Sequence, residues 1–224
     1  MMPTTMEDRT TVTAISSSKG AHGSARRRAL PFVGVVAAIA AMVTGGCGSP
    51  SVNQRAASAS GSTPFAWFRS GPAPAGWQEM ELPDATAVLS IPPDAAPVPG
   101  DPGSVSATVT APDGDLKIYL NATPQQGEET QSNWSEFRLA HLTGENAASA
   151  NRLQYRAGME FLGGTGSCVE DTYVTRIGAH KYREIACLVG GTRGGSVLVV
   201  AAPAESWDLY SPAVEQAVDA YRAG

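Results

Sequence analysis

Two cysteines and the stretch between them constrain this chain more than any other feature. Cys168 and Cys187 lie on neighbouring runs, Ser167 to Arg176 and Lys181 to Val189, that read as strands on either side of Ile177-Gly178. A hairpin centred between Ile177 and Gly178 sets the two cysteines directly opposite each other, because both are equally far from that centre. Opposed residues in a non-hydrogen-bonded antiparallel pair have Cα atoms about 4.5 Å apart, at the short end of the disulfide range. In an oxidising compartment a Cys168–Cys187 disulfide is expected, closing a loop of about 20 residues; otherwise the two are buried free thiols.

The same register makes further statements. It sets Thr172 opposite Arg183, Tyr173 opposite Tyr182, and Asp171 opposite Glu184. Like charges facing each other destabilise a sheet unless water or a cation sits between them. The expectation is an exposed face on which both carboxylates point into water. The alternative is a metal site at Asp171 and Glu184.

Around this hairpin the chain reads as short strands with two helical interruptions. Trp77 to Leu82 and Thr86 to Ile91 form an opening pair separated by Pro83-Asp84, and Pro97 to Gly103 reads as a loop. Ser104 to Thr110 alternates polar and apolar, and Asp113-Gly114 turns it into Leu116 to Leu120. Asn133 and Glu136 have capping-box spacing, and Trp134, Phe137, His141 and Leu142 share one helical face that Gly144 is expected to end. Arg152 to Leu162 then begins four more strands, with Gly163, Gly164 and Gly166 as a hairpin turn. The last strand, Ser196 to Ala202, is apolar without alternation, as a central strand covered on both faces would be. Ser211 as N-cap and Pro212 at the first helical position start a closing helix, with Val214, Ala217, Val218 and Tyr221 on one stripe. Hairpins dominate and helices are needed on the sheet faces. The fold class expected is α+β, an antiparallel β-sheet flanked by helices.

The N-terminal part has a different character. Arg26, Arg27 and Arg28 precede an apolar run from Ala29 to Gly45, which at 17 residues is short for a membrane span of about 20. The run ends in Thr44-Gly45-Gly46-Cys47, which looks like a bacterial lipobox, although Thr44 stands where Leu is usual. Residues 1–46 are therefore read as a lipoprotein-type signal peptide and Cys47 as the lipidated residue; an uncleaved membrane helix is the other reading. The long segment before the arginines leaves a later start codon open, and the arginines leave twin-arginine export open. Residues 47–64 are small and polar, cannot bury enough surface to offset ordering, and are read as a flexible tether of roughly 20 Å. Residues 65–224 are expected to form a single domain. Removing residues 1–46 takes five basic and two acidic residues from 16 and 21, leaving 11 against 19, a charge of −8. That argues against nucleic acid as a partner. The three cysteines resolve as one for lipid and two for each other.

The search for chemistry returns few residues. There is no phosphate-binding loop, no H-E-x-x-H, no C-x-x-C and no G-x-S-x-G. His141 sits on the apolar helix stripe and is expected to be packed; His180 is at a turn and expected to be exposed. No metal and no cofactor is expected. Asn121-Ala122-Thr123 and Asn133-Trp134-Ser135 match the glycosylation pattern but are read as unmodified in a bacterial chain. Phe65, Trp67, Phe68 and Trp77 crowd the entrance of the domain. They either cover the end of the core or form an exposed patch for a partner.

Four features taken together resemble a known fold family: Cys47, the hairpin from Trp77 to Ile91, the stretches Gly166-Ser167-Cys168 and Glu184-Ile185-Ala186-Cys187, and the apolar final strand followed by a helix. The chain resembles PsbP-like proteins, in particular the LpqN-type lipoproteins of high-GC Gram-positive bacteria. The resemblance implies an α/β/α sandwich over most of residues 75–224. It implies binding or assembly roles in the cell envelope, with no catalytic motif to carry over. The expectation is a monomeric, non-catalytic binding module, lipid-anchored on the outer face of the cytoplasmic membrane. Its partner would be an envelope protein, lipid or glycan. The alternative is an extracytoplasmic hydrolase with scattered residues gathered around His180.

Overall fold

The computed structural model describes residues 63–224. The segment read as a signal peptide, Cys47 and the expected tether up to residue 62 lie outside the described residues. The strands and helices run β1 (Gln78–Glu81), β2 (Ala87–Ile91), β3 (Ala96–Val98), β4 (Val105–Thr110), β5 (Leu116–Pro124), α1 (Trp134–Glu145), β6 (Ala147–Phe161), β7 (Gly164–Thr175), β8 (Lys181–Gly191), β9 (Gly194–Pro203), α2 (Trp207–Asp219) and β10 (Arg222–Ala223). Among the described residues no helix is long and apolar enough to cross a membrane.

Seven strands form one antiparallel sheet in the order β3-β4-β5-β9-β8-β7-β6. β9, the apolar strand without alternation, is the central one. Its even residues Leu198 and Val200 join Cys168, Ile185 and Cys187 in the main core, together with Val214, Ala217 and Val218 of α2. Its odd residue Val199 packs with Val169, Ala186 and Leu188 against Trp134 of α1 on the other face. Period-two alternation therefore puts the helices on opposite faces of the sheet. A small sheet of β1, β2 and β10 closes the α2 side, with Leu89 and Ile91 in the main core.

The β7–β8 register is the one read from the numbers: Cys168 faces Cys187, Asp171 faces Glu184, Thr172 faces Arg183 and Tyr173 faces Tyr182. The Cys168–Cys187 disulfide is formed, with a Cα–Cα distance of 4.1 Å, and both cysteines are fully buried. Gly163 turns β6 into β7 at φ 79°, and a Cβ there would stand 2.3 Å from the Ala223 carbonyl oxygen. Glycine is required because β10 passes against that turn.

Three local expectations are corrected. Ala96–Val98 is a strand and not part of a loop; it lies at the sheet edge, where Pro97 costs no ladder bond. α2 begins at Trp207, so Pro212 is inside the helix and Ser211 is not its cap. Burial of Trp207 beneath Arg183, whose guanidinium lies 4.6 Å from the ring centre, draws the chain into the helix one turn early. Asn133 directly precedes α1 but bonds backwards, its Oδ1 accepting from the Thr130 N–H at 2.7 Å. It orders the preceding turn instead of capping the helix.

Candidate functional site

α1 spans only part of its sheet face. It packs on β6, β7 and β8, and beyond its edge a cleft of about 410 Å³ opens over β5 and β9. That size falls within the range of small-molecule sites, about 300–1,000 Å³. The floor is Val197 and Val199 of β9 with Asn121 and Thr123 of β5, and one wall is the α1 face carrying Trp134, Phe137, Arg138 and His141. Trp134, Phe137 and His141 recur at helical spacing, so their rings stack in a row: Trp134 on Phe137 and Phe137 on His141, each at 6.2 Å between centres. His141 is not packed in the core. Its Nε2 lies 3.2 Å from Glu145 Oε2 and its side chain is 43% exposed, because the seventh residue of the stripe has passed the sheet's covered half.

The loop after β5 forms the other wall. Glu129 is buried there, its Oε1 accepting the Gln126 N–H at 2.9 Å. Burial works to raise its pKa, but backbone N–H groups of Gln126 and Gly127, with the nearby His141, hold it below the usual glutamate value. A Cβ at Gly127 would stand 2.6 Å from Glu129 Oε2, so any larger residue there would make the carboxylate shift.

Behind the cleft wall lies the pair that register alone had brought together. Asp171 and Glu184 do not point into water; they are 0% and 1% exposed, beneath α1. The cation between the strands and the helix is a side chain. Arg138 donates from Nε to Glu184 Oε1 at 2.6 Å and from Nη2 to Glu184 Oε2 at 2.9 Å. Among the described residues no group of three or more His, Cys, Asp or Glu side chains is placed to hold a metal ion. Neither Asp171 oxygen has a hydrogen-bond partner. Burial first, then the Glu184 charge, pushes its pKa up to about 8 against the opposing pull of Arg138.

The opposite face carries a further buried carboxyl. Glu170 accepts from Arg183 Nε and from Gln154 Nε2, and Gln154 Oε1 accepts the Phe65 N–H at 2.8 Å. This chain of bonds ties the domain's entrance to the sheet. Phe65 and Phe68 are buried, Phe68 lies 4.9 Å from the Phe161 ring, and Trp67 and Trp77 pack half-buried against the same core. The four aromatics cover the core's end and do not form an exposed contact patch.

His180 is exposed at the β7–β8 turn and lines a polar hollow of about 310 Å³ with Lys117, Lys181, Glu205 and Ser206. Its N–H donates to Thr175 Oγ1 at 3.0 Å. Among the described residues its ring has no hydrogen bond to Ser206, and Asp171 is enclosed beneath α1. The groups of the hydrolase alternative are not brought together. Arg138 was the residue sequence reasoning passed over. Its signal was a charge one turn after Trp134, inside an otherwise apolar stripe.

No protein-family model and no curated protein matches the chain. Among solved structures it is similar to the cyanobacterial PsbP of Synechocystis sp. PCC 6803, with a TM-score of 0.50 and 9% identity over 69% of this chain and 96% of that one. It also aligns with LpqN, involved in cell envelope biogenesis of Mycobacterium tuberculosis, at a TM-score of 0.31 and 12% identity over 67% of this chain and 80% of that one. A protein of unknown function from Pseudomonas aeruginosa aligns at 0.37 and 9% identity over 64% and 94%. At these identities the likeness speaks of fold alone, and only the first alignment is close enough to carry weight. The described domain, with its antiparallel sheet and two helices, has a PsbP-like fold.

Proposed function

We propose that this protein is a lipid-anchored, extracytoplasmic binding module that takes a lipid or glycan component of the cell envelope in the cleft beside α1, without transforming it. The anchor rests on the arginine triplet, the short apolar run and Cys47. The observation that carries the binding reading is the state of the charged groups around the cleft. Arg138 is held by both Glu184 oxygens, His141 lies 3.2 Å from Glu145, and Glu129 Oε1 accepts the Gln126 N–H while its Oε2 has no partner. What the cleft offers a ligand is therefore shape, a floor half apolar and half polar, and a few polar groups, the unpartnered Glu129 Oε2 among them. Such a combination suits holding and orienting a ligand.

Native mass spectrometry of the full chain, extracted from its own envelope in mild detergent, tests this directly. The expected result is a non-covalent adduct that disappears in Thr123→Trp, which fills the floor. A bare protein, or an adduct indifferent to Thr123→Trp, contradicts the reading. In the same cells Cys47→Ala should release the protein from the membrane fraction.

A further inference from the structure

Three carboxyl groups, Glu170, Asp171 and Glu184, are buried in two neighbouring strands, and two guanidinium groups reach them. Arg183 takes Glu170 on the α2 face and Arg138 takes Glu184 on the α1 face. Asp171 is left over, fully enclosed with both oxygens unpartnered. An ionised carboxylate in that position has no donor and must share the one guanidinium near it, Arg138, with Glu184, whereas a protonated one is neutral.

The groups around it are few. From α1 comes Arg138, and from β8 come Glu184 and, next along, Tyr182. On its own strand Tyr173 carries a phenol whose pKa burial, then Glu184, pushes upward, and Glu170 faces the other side of the sheet. From β6 comes Arg152, its register partner, which turns away to donate to Ser135 Oγ at 2.8 Å and Glu136 Oε1 at 3.1 Å. No second cation is committed to Asp171.

We propose that Asp171 is a proton-controlled latch on α1. With its proton in place, Glu184 alone engages Arg138, and α1 lies closed on the sheet with the cleft wall set. When the proton leaves, two carboxylates compete for one guanidinium, water is drawn beneath α1, and the wall formed by Trp134, Phe137 and Arg138 loosens. The latch regulates the cleft of the preceding section and so rests on that reading for its purpose. Its mechanics are tested without any ligand, so failure of the latch and failure of the binding reading are separate results.

The reporter is Trp134, whose indole Nε1–H donates to the Ala186 carbonyl at 2.9 Å beneath α1. Hydrogen exchange of that indole and of the α1 amides is followed by NMR on the full chain in micelles, between about pH 6 and 10, and corrected for the intrinsic base-catalysed rate. In the wild type the corrected rates should rise about tenfold together in mild alkali, and in Asp171→Asn, neutral and of the same shape, they should stay flat. Flat rates in the wild type, or the same rise in Asp171→Asn, overturn the latch. If Asp171→Asn does not fold, the 13C carboxyl resonance of wild-type Asp171 decides. A protonated carboxyl at neutral pH supports the latch, and an ionised one overturns it.

Discussion

Arg138 on α1 grips Glu184 on β8 through two bonds of 2.6 and 2.9 Å, and this pair is what fastens the helix over the sheet at the edge of the cleft. Glu184 is enclosed and Arg138 is nearly so, at 1% and 13% exposed, so removing one leaves a charge without its partner. Arg138→Ala should cost about 3–5 kcal/mol in urea unfolding, because it strands Glu184 beside Asp171. The double variant Arg138→Met with Glu184→Leu should recover most of that loss. An additive double variant would show that the pair is not the fastening.

Asp171 gives the domain an unusual pH dependence. It holds its proton up to about pH 8 in the native state but only to about pH 3.9 in an unfolded chain. The native state therefore binds more protons, and the stability this contributes is complete below about pH 4 and lost as pH rises towards about 8. The urea midpoint of the wild type should fall across that window. Asp171→Asn should fall much less, the residual slope coming from Glu215 and Asp219, whose pKa values burial also raises.

The Cys168–Cys187 disulfide closes a sequence separation of 19 residues inside the main core. Cys168→Ala with Cys187→Ala should lower stability by about 3 kcal/mol. On the unfolded, non-reduced wild type, thiol titration should detect no reactive thiol from either cysteine.

Phe65 ties the entrance to the core, buried itself and bonded through its N–H to Gln154. Phe65→Ala should cost about 3–5 kcal/mol by the urea midpoint, as for other large buried aromatics. A cost near that of a surface change, within about 0.5 kcal/mol, would return Phe65 to the exposed patch considered from sequence.

The central sheet was legible because two constraints agreed in it. The cysteines set a register, and period-two alternation on β7 and β8 kept it, so the facing of Asp171 and Glu184 followed from the sequence. What covers that pair was not legible, since it depends on where α1 lands, a contact between residues 46 apart in the chain. The helix stripe was read through its apolar members, and Arg138 was passed over although it stands one turn after Trp134. Pro97 and Pro212 misled in the same way. Each was given its commonest local meaning, and an edge position for one and burial of Trp207 for the other decided otherwise. The cleft itself needs three segments, β5 with its loop, α1 and β9, and no local pattern records their meeting.

The most direct test of the binding reading places a photoreactive side chain at position 126, on the exposed loop at the cleft wall, in the full chain within its own envelope. The same group goes at position 209, exposed on α2, as the comparison. The expected result is one defined envelope adduct at 126, absent at 209 and lost when Thr123→Trp fills the floor. Equal labelling at both positions, or labelling at 126 that survives Thr123→Trp, would contradict a ligand site in the cleft.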